Sequence, residues 1–419
     1  MFINGVLNKL SKKFLIYSFG QAFNLVTPIL ISPYLIRKCN LDGFGKTGTA
    51  FALMLFLILI VDYGFDIKGI KKISESRNSP NLLQEELNAT LFTKIILFFC
   101  ALTIGLVIVF FIPYFHREKT LFILSFSILF AQIFNPTWFL QGIEDFKASS
   151  LLNIFSKTLY VILIFTFINN QNDYILVNFL LGLSSLILNC IGLIYIYKKN
   201  KFEIRLPLKN CVLNILKDDF TLCISQLFLS VRQLSPLFIT SYLFGFKTAG
   251  EYKVIDQIIS LFRTLSQVFF RYFYPQLCYK LNRAKNNAIY FWRKYSVLLL
   301  TGVTILVFIL TVFSINVLRF FNINEIIIIK MQFIFKFSLI IPIVNVISLA
   351  LEQLMFGVHN NKLYFKITFI VTLFNLLTLI LFSLYIQIPG ILISIFLSEI
   401  LFVYFYYQYA YKKLVANEV

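Results

Sequence analysis

The sequence predicts an all-α integral membrane protein, with about twelve transmembrane helices in two six-helix bundles around a central cationic cavity. Three observations predict this fold. The chain has 419 residues, of which 59% are hydrophobic and 14% charged, and its mean hydropathy is +0.81. A soluble domain carries about 25% charged residues. The apolar residues also gather into segments long enough to cross a bilayer, which takes about 20 residues each. Finally, short motifs of the first half recur in the second at nearly constant spacing. Twelve spans leave about 35 residues for each span with its loop. That excludes a soluble enzyme, a fibrous protein, a disulfide scaffold and a membrane enzyme on a single anchor.

The segments can be justified in order. The first, 14–36, follows a short basic stretch with no small-residue cleavage pattern, so it reads as a span and not as a signal. Gln21, Asn24 and Thr27 give it a weak polar stripe, and Pro28 and Pro33 are expected to bend or break it. Segment 46–66 ends on Asp62 and Asp66, which read as helix-end residues. Segment 89–112 carries Lys94, 120–142 ends in a Trp-Phe motif, 148–168 carries Lys157, and 174–197 closes the first half. In the second half, 220–243 carries Arg232 and 252–275 carries the most polar stripe. Segments 295–318, 331–354 (with Lys336), 364–386 and 389–411 (with Glu399) follow. The predicted domains are residues 1–200, a basic cytoplasmic linker 201–219, and residues 220–419.

Charge sets the orientation. The chain has 38 Lys and Arg against 19 Asp and Glu, a net charge of +19. In a soluble protein this would point to nucleic acid. Here most of it falls on alternate loops, chiefly 67–88, 198–219 and 276–294. That is the positive-inside bias, and it predicts cytoplasmic termini and no nucleic-acid partner. Six basic residues remain inside spans: Lys94, Lys157, Arg232, Arg263, Arg271 and Lys336.

The repeat relates the halves. Gly45 and Gly250, each following a span that ends in a Tyr-Leu pair or close to one, are offset by 205. Gly142 and Gly357, each closing a span, are offset by 215. An even number of spans per half gives both halves one orientation, related by an axis along the membrane normal.

No catalytic constellation is present: no Ser/His/Asp arrangement, no phosphate-binding G-x-x-x-x-G-K-[ST] loop and no paired carboxylates in a polar domain. The six cysteines are scattered without a C-x-x-C pair, and the two histidines stand far apart. Free thiols, no metal and no bound cofactor are expected. A transporter therefore fits better than an enzyme. An ionisable group at mid-bilayer costs about 2.5–3.5 kcal/mol on the insertion scale, and such groups usually face a bundle interior or a wet cavity. Lys157, Arg232 and Arg263 are central in their spans. Lys94, Arg271 and Lys336 lie nearer span ends, where a long side chain can reach the interface. Asp256, Ser260, Arg263, Gln267 and Arg271 are spaced at helical intervals, forming one polar stripe about 80° wide. The stripe predicts a hydrated cavity wall whose cations can hold phosphate. The rival is a structural ion pair of Arg263 with Asp256 or Asp62. Asp62, Asp256 and Glu399 are the candidates for coupling to a proton or sodium gradient.

Several segments carry a family resemblance. They are Pro33-Tyr34-Leu35-Ile36-Arg37 followed by Phe44-Gly45; Asp62-Tyr63-Gly64-Phe65; Trp138-Phe139-Leu140-Gln141-Gly142-Ile143-Glu144; and Gly250-Glu251-Tyr252. With twelve spans in two halves, the chain resembles the Wzx-type polysaccharide flippases of the multidrug/oligosaccharidyl-lipid/polysaccharide exporter superfamily. The W-F-x-Q-G-x-E segment is the most specific. The chain departs from many relatives at Asn40-Leu41-Asp42-Gly43, in the first loop. The resemblance implies transfer of undecaprenyl-pyrophosphate-linked oligosaccharide repeat units, for O-antigen or capsule, across the bacterial inner membrane by alternating access. It also implies membrane lipid, a polysaccharide polymerase and a chain-length regulator as partners. Lys157, Arg232 and Arg263 are the foremost expected pyrophosphate ligands, Arg271, Lys94 and Lys336 are further candidates, and Gln21, Asn24, Ser260 and Gln267 are expected to line the cavity. A small-molecule/ion antiporter of the same superfamily would want a carboxylate-rich cavity. A glycan polymerase or ligase would want a long external loop with catalytic Arg or His, and no such loop is found.

Overall fold

The computed structural model describes residues 2–281, 285–357 and 361–411, with side chains described at most positions from residue 19 onward. Within the described residues the secondary structure is helical throughout, and no strand occurs. The chain divides into two compact units, Met1–Leu234 and Ser235–Val419.

The first unit opens on α1 (Phe2–Asp62), whose one break lies at Asn40, with φ 60° and ψ 173°. Pro28 and Pro33 are both held inside the helix, which corrects the expectation that they would break it. The chain turns at Asn40 instead, in a backbone region normally reserved for glycine. After α1 come a π-helical turn (Phe65–Gly69), α2 (Ile70–Glu75), α3 (Pro80–Phe111), α4 (Pro113–His116) and α5 (Lys119–Ile133). The expected segment 120–142 is found as one spanning stretch, Lys119–Gly142, built of two helices: α5 ends, and α6 (Thr137–Gly142) starts after Asn135-Pro136. The Asn135 side chain accepts hydrogen bonds from the Thr137 N–H (3.0 Å) and hydroxyl (2.7 Å), which starts the new helix. Next are α7 (Phe146–Phe167), a 3₁₀ turn (Gln171–Asp173) and α8 (Tyr174–Asn200). The α5–α8 contact is close because Gly182 has no Cβ; one placed there would meet the backbone of Ser127 and Ile128.

The longest helix, α9 (Lys209–Leu281), begins in the first unit and continues into the second, where it breaks at Gly245, with φ 83° and ψ 170°. A left-handed φ of this kind is natural to glycine. The second unit continues with α10 (Lys285–Val312), α11 (Ser314–Phe320), α12 (Glu325–Ser338), α13 (Ile340–Gly357), α14 (Asn361–Tyr406) and a π-helical turn (Tyr407–Tyr411). Helix α14 breaks at Ile386 and Gln387.

Among the described residues nine helical stretches are long and apolar enough to cross a membrane. Three of them, Ala22–Asp62, Gln226–Phe270 and Leu363–Tyr409, run 41, 45 and 47 residues, and each holds one of the breaks above. The outer surface is apolar as well: Phe111, Ile329, Phe333 and Tyr385 are more than three-quarters exposed. In water, contiguous exposure on this scale would be an association or membrane surface.

The breaks sharpen the internal repeat. Gly245 set against Asn40 gives an offset of 205, the same as Gly250 against Gly45. The offset of 215 that relates Gly357 to Gly142 carries Gln387 onto Asn172, inside the 3₁₀ turn joining α7 to α8.

Candidate functional site

The intramembrane cations fall into distinct environments. In the first unit, Lys94 of α3 is wholly buried, and its ammonium sits 3.0 Å from the Asp62 carboxylate at the end of α1. Gln132 of α5 donates from its amide nitrogen to both oxygens of the same carboxylate, at 2.8 and 2.7 Å. The Phe65 ring lies 5.7 Å from the Lys94 ammonium. Three helices thus meet on one neutralised pair. Lys94 was grouped with substrate ligands and Asp62 with coupling acids; the structure engages them with each other. Lys157 of α7 is half-buried, and no hydrogen bond or ion pair forms on it among the described residues. Arg232 is half-buried on the first arm of α9. Asn24 is also half-buried, while the side chain of Gln21 lies outside the described residues.

In the second unit, the polar stripe of α9 lies to one side of that helix's packed face. Tyr252, Ile255, Ile259, Phe262, Ser266 and Phe270 are buried, and their mean direction is about 90° from that of Asp256, Ser260, Arg263 and Gln267 at 100° per residue. The four stripe residues are half-buried. The Ser260 hydroxyl donates to the Gln257 carbonyl at 3.1 Å. The Arg263 Nε is shielded from solvent and finds no acceptor among the described residues. Among the described residues it makes no close ion pair with Asp256, the partner of the rival structural reading, although the two charges act on each other. The side chain of Arg271 lies outside the described residues. Lys336 is exposed on the face of α12 that also exposes Ile326, Ile329 and Phe333, inside the spanning stretch Glu325–Met355. Glu399 of α14 is almost completely buried.

The motif segments come together in the first unit. Tyr63 and Gly64 take positive φ, turning the chain out of α1. Phe65 then packs on Trp138 of α6, ring centroids 6.3 Å apart. Gly69 lies under the Trp138 ring, and Gly142 under Ile73. Arg77 closes the joint: its Nε donates to the Gly142 carbonyl (2.7 Å) and its guanidinium pairs with Glu144 (2.7 Å). Asp145 then caps α7 by accepting from the Ala148 N–H at 3.1 Å, and pairs with Lys199 of α8 at 2.7 Å. Burial acts to raise the Asp145 carboxyl, but the bonds from Lys199, Ala148 and Tyr195 outweigh it and hold it below the usual carboxylate range.

Sequence reading missed Gln132, Arg77 and Glu251. Glu251 is buried at the start of the second arm of α9, with Lys247 and Lys330 close enough to act on it. Its place in the Gly-Glu-Tyr segment was a signal; nothing local marked the partners of Gln132 and Arg77.

Apolar helices of spanning length, several of them with buried charges, define the class: a multi-pass membrane protein. Residues 10–277 match the family described as "Polysaccharide biosynthesis protein", and the chain belongs to that family. Two relatives carry the name "Putative O-antigen transporter". The one from Escherichia coli (strain K12) is 25% identical over 314 residues, covering 72% of this chain and 75% of its own length. The one from Shigella dysenteriae is 25% identical over 254 residues, covering 59% and 62%. Among solved structures, the fold is similar to an inward-facing multidrug resistance MATE family transporter of the MOP superfamily. That match has a TM-score of 0.69 at 15% identity and covers 95% of each chain. It is also similar to the lipid II flippase MurJ in its inward closed conformation, with a TM-score of 0.67 at 16% identity, covering 94% of this chain and 87% of that one.

Proposed function

We propose that the chain moves undecaprenyl-pyrophosphate-linked oligosaccharide repeat units across the bacterial inner membrane by alternating access, for a surface polysaccharide such as O-antigen or capsule. The observation that carries this reading is Arg263. A guanidinium is always charged, and a buried charge is costly unless it is paired. An Nε shielded from water with no acceptor is stabilised when an anion arrives. A pyrophosphate supplies several acceptor oxygens, and charge-assisted bonds to it are about twice as strong as neutral ones. Lys157 and Arg232 join Arg263 in this role, and Ser260, Gln267 and Asn24 offer polar contacts to sugar. Lys94 has its charge met by Asp62, so the ligand role is assigned to the other cations. Asp256 and Glu399 are the acids proposed to couple transport to a proton or sodium gradient.

On this reading each of the three interrupted stretches crosses twice, so nine become twelve. Both termini are cytoplasmic, following the basic loops, and the two halves form six-helix bundles lining a cationic cavity. The relatives' name supports an O-antigen-type cargo. The test is a strain lacking the gene: surface glycan is lost, and lipid-linked repeat units accumulate on the cytoplasmic face. Complementation with Arg263→Ala or Arg232→Ala, expressed at the normal level, fails to restore export. Full export from both variants overturns the ligand assignment, and unchanged surface glycan in the deletion strain overturns the function.

A further inference from the structure

The second unit contains a cavity of about 490 Å³ between α10, α13 and the last turns of α14 with the π-helical turn that follows. Its walls are largely hydrocarbon: Leu300, Val346, Ile347, Ala350 and Val403. Trp292 forms one side, its indole N–H fixed to the Ala350 carbonyl at 2.8 Å. The cavity is open at the surface, where Val297 is half-exposed. Its polar groups come from one face of α10. Arg293 is exposed and makes no hydrogen bond or ion pair among the described residues. One turn on, the Ser296 hydroxyl is buried with no hydrogen-bond partner among the described residues. A buried hydroxyl left unpaired is costly, and here it stands beside an unmatched cation at the mouth of an apolar groove.

We infer that this groove holds one acyl chain of an anionic phospholipid, with its phosphate on Arg293 and Ser296. Size and charge decide the occupant. A cavity of about 150 Å³ holds a benzene ring. At that density the groove takes roughly twenty carbons, which is one acyl chain and well short of a long polyprenyl tail. The guanidinium selects a phosphate without a compensating ammonium, as in phosphatidylglycerol, over a zwitterionic head group. Arg293 lies on the basic segment 276–294, where the positive-inside bias places the cytoplasmic leaflet, the leaflet whose anionic lipids attract basic residues. The inference rests on the membrane location of the chain and not on its cargo.

The chain has two tryptophans, and Trp292 lines the groove while Trp138 is buried in the first unit. Subtracting the signal of Trp292→Phe therefore isolates the probe. The full-length protein is placed in phosphatidylcholine vesicles containing a minor fraction of brominated phosphatidylglycerol, or the same fraction of brominated phosphatidylcholine. Quenching of Trp292 should report about a five-fold enrichment of phosphatidylglycerol, the ~1 kcal/mol of one basic side chain near an anionic head group. Arg293→Gln abolishes the enrichment and Arg293→Lys keeps most of it. Val297→Phe, an exposed substitution at the mouth, lowers quenching by both lipids. Equal quenching by the two lipids, enrichment that survives Arg293→Gln, or no effect of Val297→Phe overturns the inference. Relief of quenching by a polyprenyl phosphate at equal mole fraction also overturns it, and assigns the groove to a prenyl chain. None of these outcomes bears on whether Arg263→Ala exports glycan.

Discussion

Lys94 in the first unit and Arg263 in the second are both cations set in the apolar length of a helix, and their surroundings have opposite character. Lys94 is enclosed by a carboxylate, an amide that bonds both oxygens of that carboxylate, and an aromatic ring. Arg263 presents a shielded Nε with no acceptor among the described residues, on the flank of its helix and not on its packed face. The first arrangement joins three helices. The second leaves a donor unused among the described residues, which is the ground on which an anion site is proposed there. An intramembrane charge therefore marks function only once its partners are known: the same residue class serves packing in one unit, and in the other carries the proposed binding role.

The sharpest way to break this comparison is a paired mutant cycle. Lys94→Met leaves the Asp62 carboxylate buried with only Gln132, and removing one partner of a buried pair costs about 3–5 kcal/mol. The double variant Lys94→Met with Asp62→Leu recovers most of that loss, because an apolar replacement of the whole pair is often neutral. Arg263→Met changes stability by less than about 1 kcal/mol while abolishing export. Thermal unfolding in detergent, read beside surface glycan, checks all three. If Arg263→Met destabilises as strongly as Lys94→Met, the contrast between the two cations fails.

Packing gives a second, smaller contrast. Gly182→Ala drives a methyl into the Ser127 backbone where α5 meets α8, and overpacking of this kind costs about 1–3 kcal/mol. Gly302 of α10 has open space where a Cβ would stand, so Gly302→Ala is neutral or stabilising by up to about 1 kcal/mol through helix propensity. Arg77→Ala belongs with the first unit: it frees the Gly142 carbonyl and Glu144 from their donor and costs about 1–2 kcal/mol. The melting temperatures of the three variants should fall in the order Gly302→Ala, Arg77→Ala, Gly182→Ala, from highest to lowest.

The helical membrane class was legible because hydrophobicity is summed over whole segments, and no single residue decides it. Boundaries were less so. The break of α1 at Asn40 falls in the loop expected between segments 14–36 and 46–66, while Pro28 and Pro33 stay inside the helix, since a membrane helix can absorb proline where neighbouring groups satisfy the freed backbone. The offset of 205 already contained this answer, since Gly245 is the residue it relates to Asn40. The cation list was legible as a list only. Lys94 and Asp62 are 32 positions apart, and Gln132 and Asp62 are 70 apart, so helix packing alone creates their meeting. By contrast, the stripe of Asp256, Ser260, Arg263 and Gln267 depends on one helix's own period, and it was readable in advance.

The smallest expected effect tests whether the internal pairing of the first unit extends to its loops. Asp145 caps α7 and accepts from Lys199 and Tyr195, and these bonds hold its carboxyl below the usual range against the opposing effect of burial. A carboxyl depressed in the folded state contributes stability that is fully present above its unfolded value, near 3.9. The contribution is lost as pH falls through the folded value, because protonation removes the charge that Lys199 pairs with. Lys199 is about half exposed, with 47% of its side chain accessible, so the pair contributes less than about 1 kcal/mol. Asp145→Asn keeps a good helix cap and removes only the charge. Melting curves taken from pH 7 down to the acid limit should therefore show wild type and Asp145→Asn differing by a small constant at neutral pH and converging below the folded carboxyl value. A difference that persists unchanged into acid means that Asp145 acts through its cap alone. In that case the Asp145–Lys199 pair adds nothing to the stability of the first unit.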